Sequence, residues 1–276
     1  MSILRETFTL NNGVKIPKLG FGTWQIPEGD EAYKAVTLAL EAGYVHIDTA
    51  QSYQNERSVG RAVRDYGLER EDLFITTKVH SHIKDYEQAK RSIQTSLDTL
   101  DLQYIDLLLI HAPQPWNKQG QPEDKPYYEE NAQVWRAMEE AHEAGVVKSL
   151  GVSNFQITDL QELAKRSNVP VAVNQIRLFI GYMQPQLVEY CESKNILVEA
   201  YSPFATGRLL DNKQLLEIAD RIGVTVPQLS LRYLLDKNTL PLPKSVHEEY
   251  IRANTRLDFQ ISAEDRERLD RMKLDV

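Results

Sequence analysis

Residues 73–111 read LFITTKVHSHIKDYEQAKRSIQTSLDTLDLQYIDLLLIH. Leu73 to Lys78 and Tyr104 to Ile110 are short apolar runs, and Tyr86 to Leu100 between them carries helical spacing. Strand, helix, strand in that order is the pattern of a parallel βα unit. Toward the N-terminus the alternation continues. Val59, Ala62, Val63 and Tyr66 form a helical stripe before Gly67, preceded by a strand at Val45 to Thr49. A further helix runs from about Asp30, read as its N-cap, with Ala32, Ala35, Val36, Ala39 and Leu40 on one face and Gly43 at C′. The first strand is Leu19 to Thr23.

Toward the C-terminus, Val134, Ala137, Met138 and Ala141 mark a helix, followed by a strand at Val147 to Val152. Helices at Thr158 to Arg166 and Pro185 to Lys194 flank a strand at Val171 to Ile176. Ile196 to Tyr201 and Leu240 to Pro243 complete eight strands. Two helical patterns, Asp211 to Ile222 and Pro227 to Asp236, lie between the last two strands, so one is an extra helix. The expected fold is an α/β (β/α)8 TIM barrel, with Thr7 to Leu10 and Val14 to Ile16 as a β-hairpin around Asn12-Gly13 capping the floor. An open doubly wound sheet is the alternative that periodicity leaves standing.

A chain of 276 residues, 42% hydrophobic, suits one domain over 1–276. Its net charge of −8 speaks against a nucleic-acid or anionic-membrane partner, which calls for a positive field. Cys191 is the single cysteine, so no internal disulfide is possible. MSILRETFTL shows no leader pattern, and no apolar run reaches membrane-spanning length. A cytoplasmic monomer is expected.

Working residues of such a barrel sit at the C-terminal ends of strands. That rule selects Asp48, Tyr53, Lys78 and His111, which emerge from three adjacent strands. Taken singly, each has a bland reading as a cap, a rim aromatic, a solvated strand end or a loop histidine. Together they suit reduction of a carbonyl. Hydride addition builds negative charge on the carbonyl oxygen, so an acid must deliver a proton there. Tyr53 is the expected acid; Lys78, held charged by Asp48, is expected to lower its pKa; a neutral His111 would orient the substrate oxygen.

At this point the sequence resembles the aldo-keto reductase family. GYVHIDTAQSYQNE at residues 43–56 is similar to its first signature, which carries the catalytic aspartate and tyrosine. Lys90 through His111 resembles the second, and Pro243-Lys244-Ser245-Val246 with Asn254 the third. The short tail after Leu257 resembles the bacterial branch that includes 2,5-diketo-gluconic acid reductase. The resemblance implies an extended nicotinamide dinucleotide across the barrel mouth. Ser153, Asn154 and Gln175 would hold the carboxamide, and Tyr201 would stack on the nicotinamide ring. The loop Ser202, Pro203 to Thr206-Gly207-Arg208-Leu209 would fold over the pyrophosphate, with Gly22, Thr23 and Asp48 also at the cofactor. Gly20 and Gly22 begin like a dinucleotide fingerprint, but Gln25 stands at the third glycine position, so that motif is weak.

NADPH is expected, because Lys244, Ser245 and Val246 lead into a helix and offer an ammonium, a hydroxyl and backbone N–H groups to a 2′-phosphate. The family commonly has an arginine six positions after that lysine; Tyr250 stands here and leaves NADH possible. A second departure is Ala112, where many relatives carry tryptophan. Trp24, His80 and Trp116, with Tyr53 and His111, are the expected substrate contacts, suited to small aldehydes, 2-oxo compounds or dicarbonyls. His80-Ser81-His82 has no nearby cysteine and the sequence has no HExxH, so no metal is expected. A nicotinamide-binding regulatory or redox-sensing barrel is the alternative function. A metal-dependent hydrolase would want more strand-end ligands than Asp48 and His111.

Overall fold

The computed structural model describes residues 3–118 and 126–274. An antiparallel hairpin, β1 (Thr7–Thr9) and β2 (Lys15–Pro17), precedes the alternating units. These run β3 (Phe21–Gly22), α1 (Asp30–Glu41), β4 (His46–Asp48), α2 (Glu56–Tyr66), β5 (Phe74–Val79), α3 (Tyr86–Leu100), β6 (Ile105–Ile110) and α4 (Tyr128–Glu143). They continue with β7 (Val147–Ser153), α5 (Ile157–Ala164), β8 (Val173–Arg177), α6 (Pro185–Ser193) and β9 (Leu197–Tyr201). After β9 come α7 (Lys213–Ile222), α8 (Val226–Asp236), β10 (Leu240–Leu242), α9 (Glu248–Ala253) and α10 (Ala263–Asp270).

Strands β3 to β10 pair in parallel in chain order. Gly20 N donates to Pro241 O at 3.2 Å and Gly22 N to Pro243 O at 2.9 Å, bringing the first strand back to the last. Consecutive order and this closure give a (β/α)8 barrel and exclude the open sheet. Gly20 is needed for that closure. A Cβ there would lie 2.5 Å from Leu242 Cδ2 and 2.7 Å from His46 Nδ1. Gly20 therefore serves strand packing, whereas a Cβ at Gly22 would meet nothing nearer than 3.4 Å.

Side chains of a strand alternate between its two faces, and the barrel makes one face its interior. On β6, Leu107 and Leu109 join the interior cluster, whereas Leu108 and Ile110 pack in the layer under the helices. Phe74, Val173 and Leu240 complete the interior near the floor, where Leu10 and Ile16 of the hairpin segment plug it. Asn11 Nδ2 donates to Val171 O at 2.8 Å and Asn12 Nδ2 to Lys148 O at 3.1 Å, tying the hairpin to the barrel. The turn is not a two-residue Asn-Gly type. Leu10 N bonds Val14 O at 2.8 Å, and Gly13 takes φ +86°, a left-handed position that closes a three-residue loop.

Helix α1 buries the five residues its spacing marks, but Asp30 is its first helical residue and Gly29 occupies the N-cap. Of the two helices between β9 and β10, α8 buries seven residues and α7 three, so α7 is the extra one. Helix α10 has no counterpart in the sequence reading. It buries only Asp265 and Leu269, too few for a periodic stripe, and is N-capped by Ser262 accepting from Asp265 N at 3.1 Å. Among the described residues no helix is long and apolar enough to cross a membrane.

Candidate active site

The inward alternation changes character toward the C-terminal ends of the strands. In phase with the apolar floor stand His46 and Asp48 on β4, Thr76 and Lys78 on β5, Gln175 and Arg177 on β8, Glu199 and Tyr201 on β9. Lys78 is fully buried, with its ammonium donating to both Asp48 carboxylate oxygens at 2.7 Å and to Thr49 O at 2.8 Å. Three acceptors for three N–H donors satisfy the buried cation.

Tyr53 lies in a 3-10 turn, Gln51–Tyr53, held from both sides. Gln51 Nε2 donates to Ser92 O and Ser96 Oγ on α3, and Gln51 Oε1 accepts from His80 N. The buried Glu56 carboxylate accepts from Thr77 Oγ1 at 2.6 Å and Ser96 Oγ at 2.8 Å, stitching α2 to β5 and α3. The Tyr53 ring has the Lys78 ammonium 4.8 Å from its centroid and the His111 ring 5.6 Å away at 73°. Trp116 meets the other side of His111 edge-on at 5.6 Å. The four expected catalytic side chains thus share one place.

Burial, with Asp48, Tyr201 and Glu199 nearby, holds the Tyr53 phenol well above its usual range. The lowering expected from Lys78 does not set the direction, because burial and the nearby Asp48 outweigh it. Burial, with Lys78 and then His80, pushes His111 well below the ordinary histidine range, so it is neutral near pH 7. Its Nδ1 lies 3.1 Å from Ser52 Oγ.

A second buried layer lies beneath. Gln175 Nε2 donates to Asp48 Oδ2 at 2.9 Å and to Glu199 Oε2 at 2.7 Å. Both amide hydrogens are thereby used, and Oε1 is turned to the cleft. Burial, reinforced by Asp48, pushes the Glu199 carboxyl up to about 8, so it is mostly protonated at neutral pH. His46, 3.9 Å from Glu199 Oε1 and 2.9 Å from Thr76 Oγ1, is pushed down to about 3 by burial and Lys78.

These groups open into a cleft of about 630 Å3 at the barrel mouth. Of the expected cofactor residues, Gly22, Asp48, Ser153, Asn154, Gln175, Tyr201, Ser202, Pro203, Thr206, Gly207 and Lys244 line it. Asn154 is already engaged: Nδ2 donates to His111 O at 3.2 Å and Ser153 Oγ at 2.9 Å, while Oδ1 accepts from Tyr201 OH at 2.8 Å. Thr23 and Leu209 are buried behind the wall, the former donating to Asp48 O and the latter in a satellite core. Arg208 Nε donates to Ala205 O at 3.2 Å within its own loop. Ser245 and Val246 before α9, Tyr250 on it and Asn254 at its C-cap lie outside the enclosed cleft; Tyr250 is 56% exposed.

Trp24 and Trp116 line the cleft, as the sequence reading expected of them; His80 does not. Its ring tilts against His82 at 5.0 Å and its Nδ1 accepts from His82 N at 3.2 Å, which holds it within the loop after β5. The sequence reading missed Gln25, Ser52, Arg177, Phe204 and Leu242 on the wall and Glu199 beneath it. The signal for Arg177 and Glu199 was present, since polar residues at inward positions of apolar strands interrupt a period-2 pattern.

The family model for the "Aldo/keto reductase family" matches residues 18–273. The glyoxal reductase of Bacillus subtilis is 37% identical over 273 residues, covering 99% of this chain and 94% of the relative. The crystal structure of an aldo/keto reductase from Brucella melitensis superposes with a TM-score of 0.88 at 38% identity, covering 96% of this chain and 98% of that one. A Bombyx mori aldo-keto reductase in complex with NADP gives 0.85 at 35% identity, covering 96% and 92%. With the family match spanning nearly the whole barrel and the cleft at its mouth, the chain belongs to the aldo/keto reductase family.

Proposed function

We propose that this chain is an NADPH-dependent carbonyl reductase in which Tyr53 donates the proton. The observation that carries the reading is the buried Lys78–Asp48 pair at 2.7 Å, set 4.8 Å from a Tyr53 ring that shares the cleft wall with a neutral His111. When bound, the reduced nicotinamide supplies hydride to the carbonyl carbon. Negative charge then grows on the oxygen, and the Tyr53 O–H donates to it. An alkoxide is far more basic than a phenolate, so transfer runs downhill even from a phenol held above its usual range. That elevation keeps the proton on Tyr53 until it is needed. Lys78 offsets the phenolate charge left behind, and Asp48 keeps the ammonium fixed. With the Ser52 hydroxyl donating to Nδ1, His111 carries its proton on Nε2 and presents it to the substrate oxygen.

The cleft fits a nicotinamide dinucleotide. Among the described residues Gln175 Oε1 has no hydrogen-bond partner, and with Asp48 and Glu199 holding the NH2 end it can accept from a carboxamide NH2 in the cleft. The 202–209 loop places the left-handed residues Ser202, Thr206 and Gly207 on the wall, bringing backbone close to a bound pyrophosphate. Lys244, with Ser245 and Val246 beside it, offers the charge for a 2′-phosphate, and Tyr250 in place of arginine leaves NADH a usable second cofactor.

Small aldehydes, 2-oxo compounds or dicarbonyls are the substrate class, supported by the likeness to a glyoxal reductase and by Trp24 and Trp116 at the opening. The single cysteine and acidic composition support a cytoplasmic setting, and we take the chain as a monomer of one domain. The test follows NADPH consumption with methylglyoxal or an aromatic aldehyde. Tyr53→Phe should lower kcat by roughly 10²–10⁴ while NADPH affinity is nearly unchanged. An active Phe variant rules out Tyr53 as the acid.

A further inference from the structure

We propose that Arg177 makes the inner cleft an oxyanion site, a role that none of the three signature stretches assigns to it. Arg177 is two residues beyond Gln175 on β8, so both side chains face the barrel interior, with Arg177 one layer nearer the mouth. It pairs in register with Tyr201 and lines the cleft. Its guanidinium rests over the Phe179 ring at 5.5 Å, and Gln184 Nε2 holds its carbonyl at 2.7 Å. Among the described residues the guanidinium makes no ion pair and no hydrogen bond.

The charge balance of the wall sharpens the point. Asp48 is the one carboxylate among the lining residues, and Lys78 neutralises it. Arg177 and Lys244 remain as cations of the wall without a carboxylate partner among the described residues. A chain of net charge −8 thus carries a locally positive cleft, and low-dielectric walls focus that field on a bound anion. Lys244 precedes α9, beyond β10, whereas Arg177 stands beside Tyr201 and the loop after it. A half-buried guanidinium presents a planar fork that matches carboxylate or phosphate oxygens, at a cost of little reorganisation when it already rests against an aromatic ring.

The shared chemistry is an oxyanion, which reaches this position either as the cofactor's pyrophosphate or as the carboxylate of a 2-oxo acid substrate. This inference rests on the reductase reading above, and the test separates the two. Arg177→Met keeps an unbranched apolar side chain at the position and removes the fork; Arg177→Lys keeps the charge. NADPH binding is titrated by fluorescence, independent of turnover, and kcat/KM is measured for glyoxylate and for neutral methylglyoxal. A pyrophosphate contact raises the Kd for NADPH in the Met variant by roughly 10- to 100-fold, with a smaller rise in the Lys variant and a shallower salt dependence. A substrate contact leaves that Kd in place and lowers the glyoxylate-to-methylglyoxal ratio of kcat/KM by a similar factor. Thermal melting checks that each variant is folded. An unchanged Kd together with an unchanged substrate ratio overturns the proposal. Tight NADPH binding without turnover of any carbonyl overturns the reductase reading instead, and the Kd arm still reports on Arg177.

Discussion

The two ends of one barrel are built from the same strands by opposite means. At the floor the inward positions are Phe74, Leu107, Leu109, Val173 and Leu240, closed off by Leu10 and Ile16. At the mouth they become Asp48, Lys78, Gln175 and Glu199, joined through hydrogen bonds of 2.7–2.9 Å. Left-handed backbone occurs at both ends but in different residue types. At the mouth Gln25, Gln54, Asn154, Gln184, Ser202, Ala205 and Thr206, in loops after strands, hold positive φ, whereas at the floor only Asp101, Asn195 and Asn238 do so among the described non-glycine residues, and Asp and Asn tolerate that region best. Apolar burial stabilises the floor with no directional demand. Buried charge at the mouth is stabilising only while every partner is present, and so it fixes geometry.

That contrast can be broken by paired substitutions. Lys78→Met strands the Asp48 carboxylate beneath the cleft, and unfolding by urea should show a loss of about 3–5 kcal/mol together with collapse of carbonyl reduction. Leu107→Ala at the floor should cost about 2–5 kcal/mol through the cavity it leaves, with KM and kcat close to those of the parent at a temperature where both are folded. Comparable stability losses with unlike effects on turnover support the division; equal loss of turnover in both erases it.

The pH dependence sharpens it. Glu199 keeps its proton in the folded state up to about 8, whereas the unfolded chain releases it near 4.5. Its contribution is therefore full below that lower value and declines as pH rises toward about 8, by at most about 1.4 kcal/mol per pH unit. His46 has the opposite sign. Held near 3 when folded against 6.5 when free, its contribution is present above 6.5 and declines as pH falls. Between 6.5 and 8 only the Glu199 decline acts within this pair. Urea midpoints of Glu199→Gln across that interval should be flatter than those of the parent, with the acid side retained. A parent curve that is already flat there would remove Glu199 as a proton holder.

The smallest effect belongs to the rim. Tyr250 is exposed on α9, and Tyr250→Arg should shift preference toward NADPH over NADH by about 1 kcal/mol, roughly fivefold in the ratio of Kd values. No shift would mean that Lys244 and Ser245 act alone on the phosphate.

Much of this molecule is legible from residue order. Helix α3 spans the residues its spacing marks, and strands β5 and β6 end within a residue of their expected limits, because an apolar run between polar turns has one way to be buried. Asp48, Tyr53, Lys78 and His111 follow from the rule that strand ends carry the work. What the chain order could not determine lies in three-dimensional neighbours. Whether Lys78 acidifies Tyr53 depends on how completely Asp48 neutralises it, and His80 misses the cleft because its ring turns toward His82. The orientation of the Gln175 amide depends on Glu199, 24 positions away along the chain and 2.7 Å away in space. Periodicity reports which face a residue takes; only the closed barrel decides which charges meet there, because electrostatic energy depends on separation and on the water excluded between the partners.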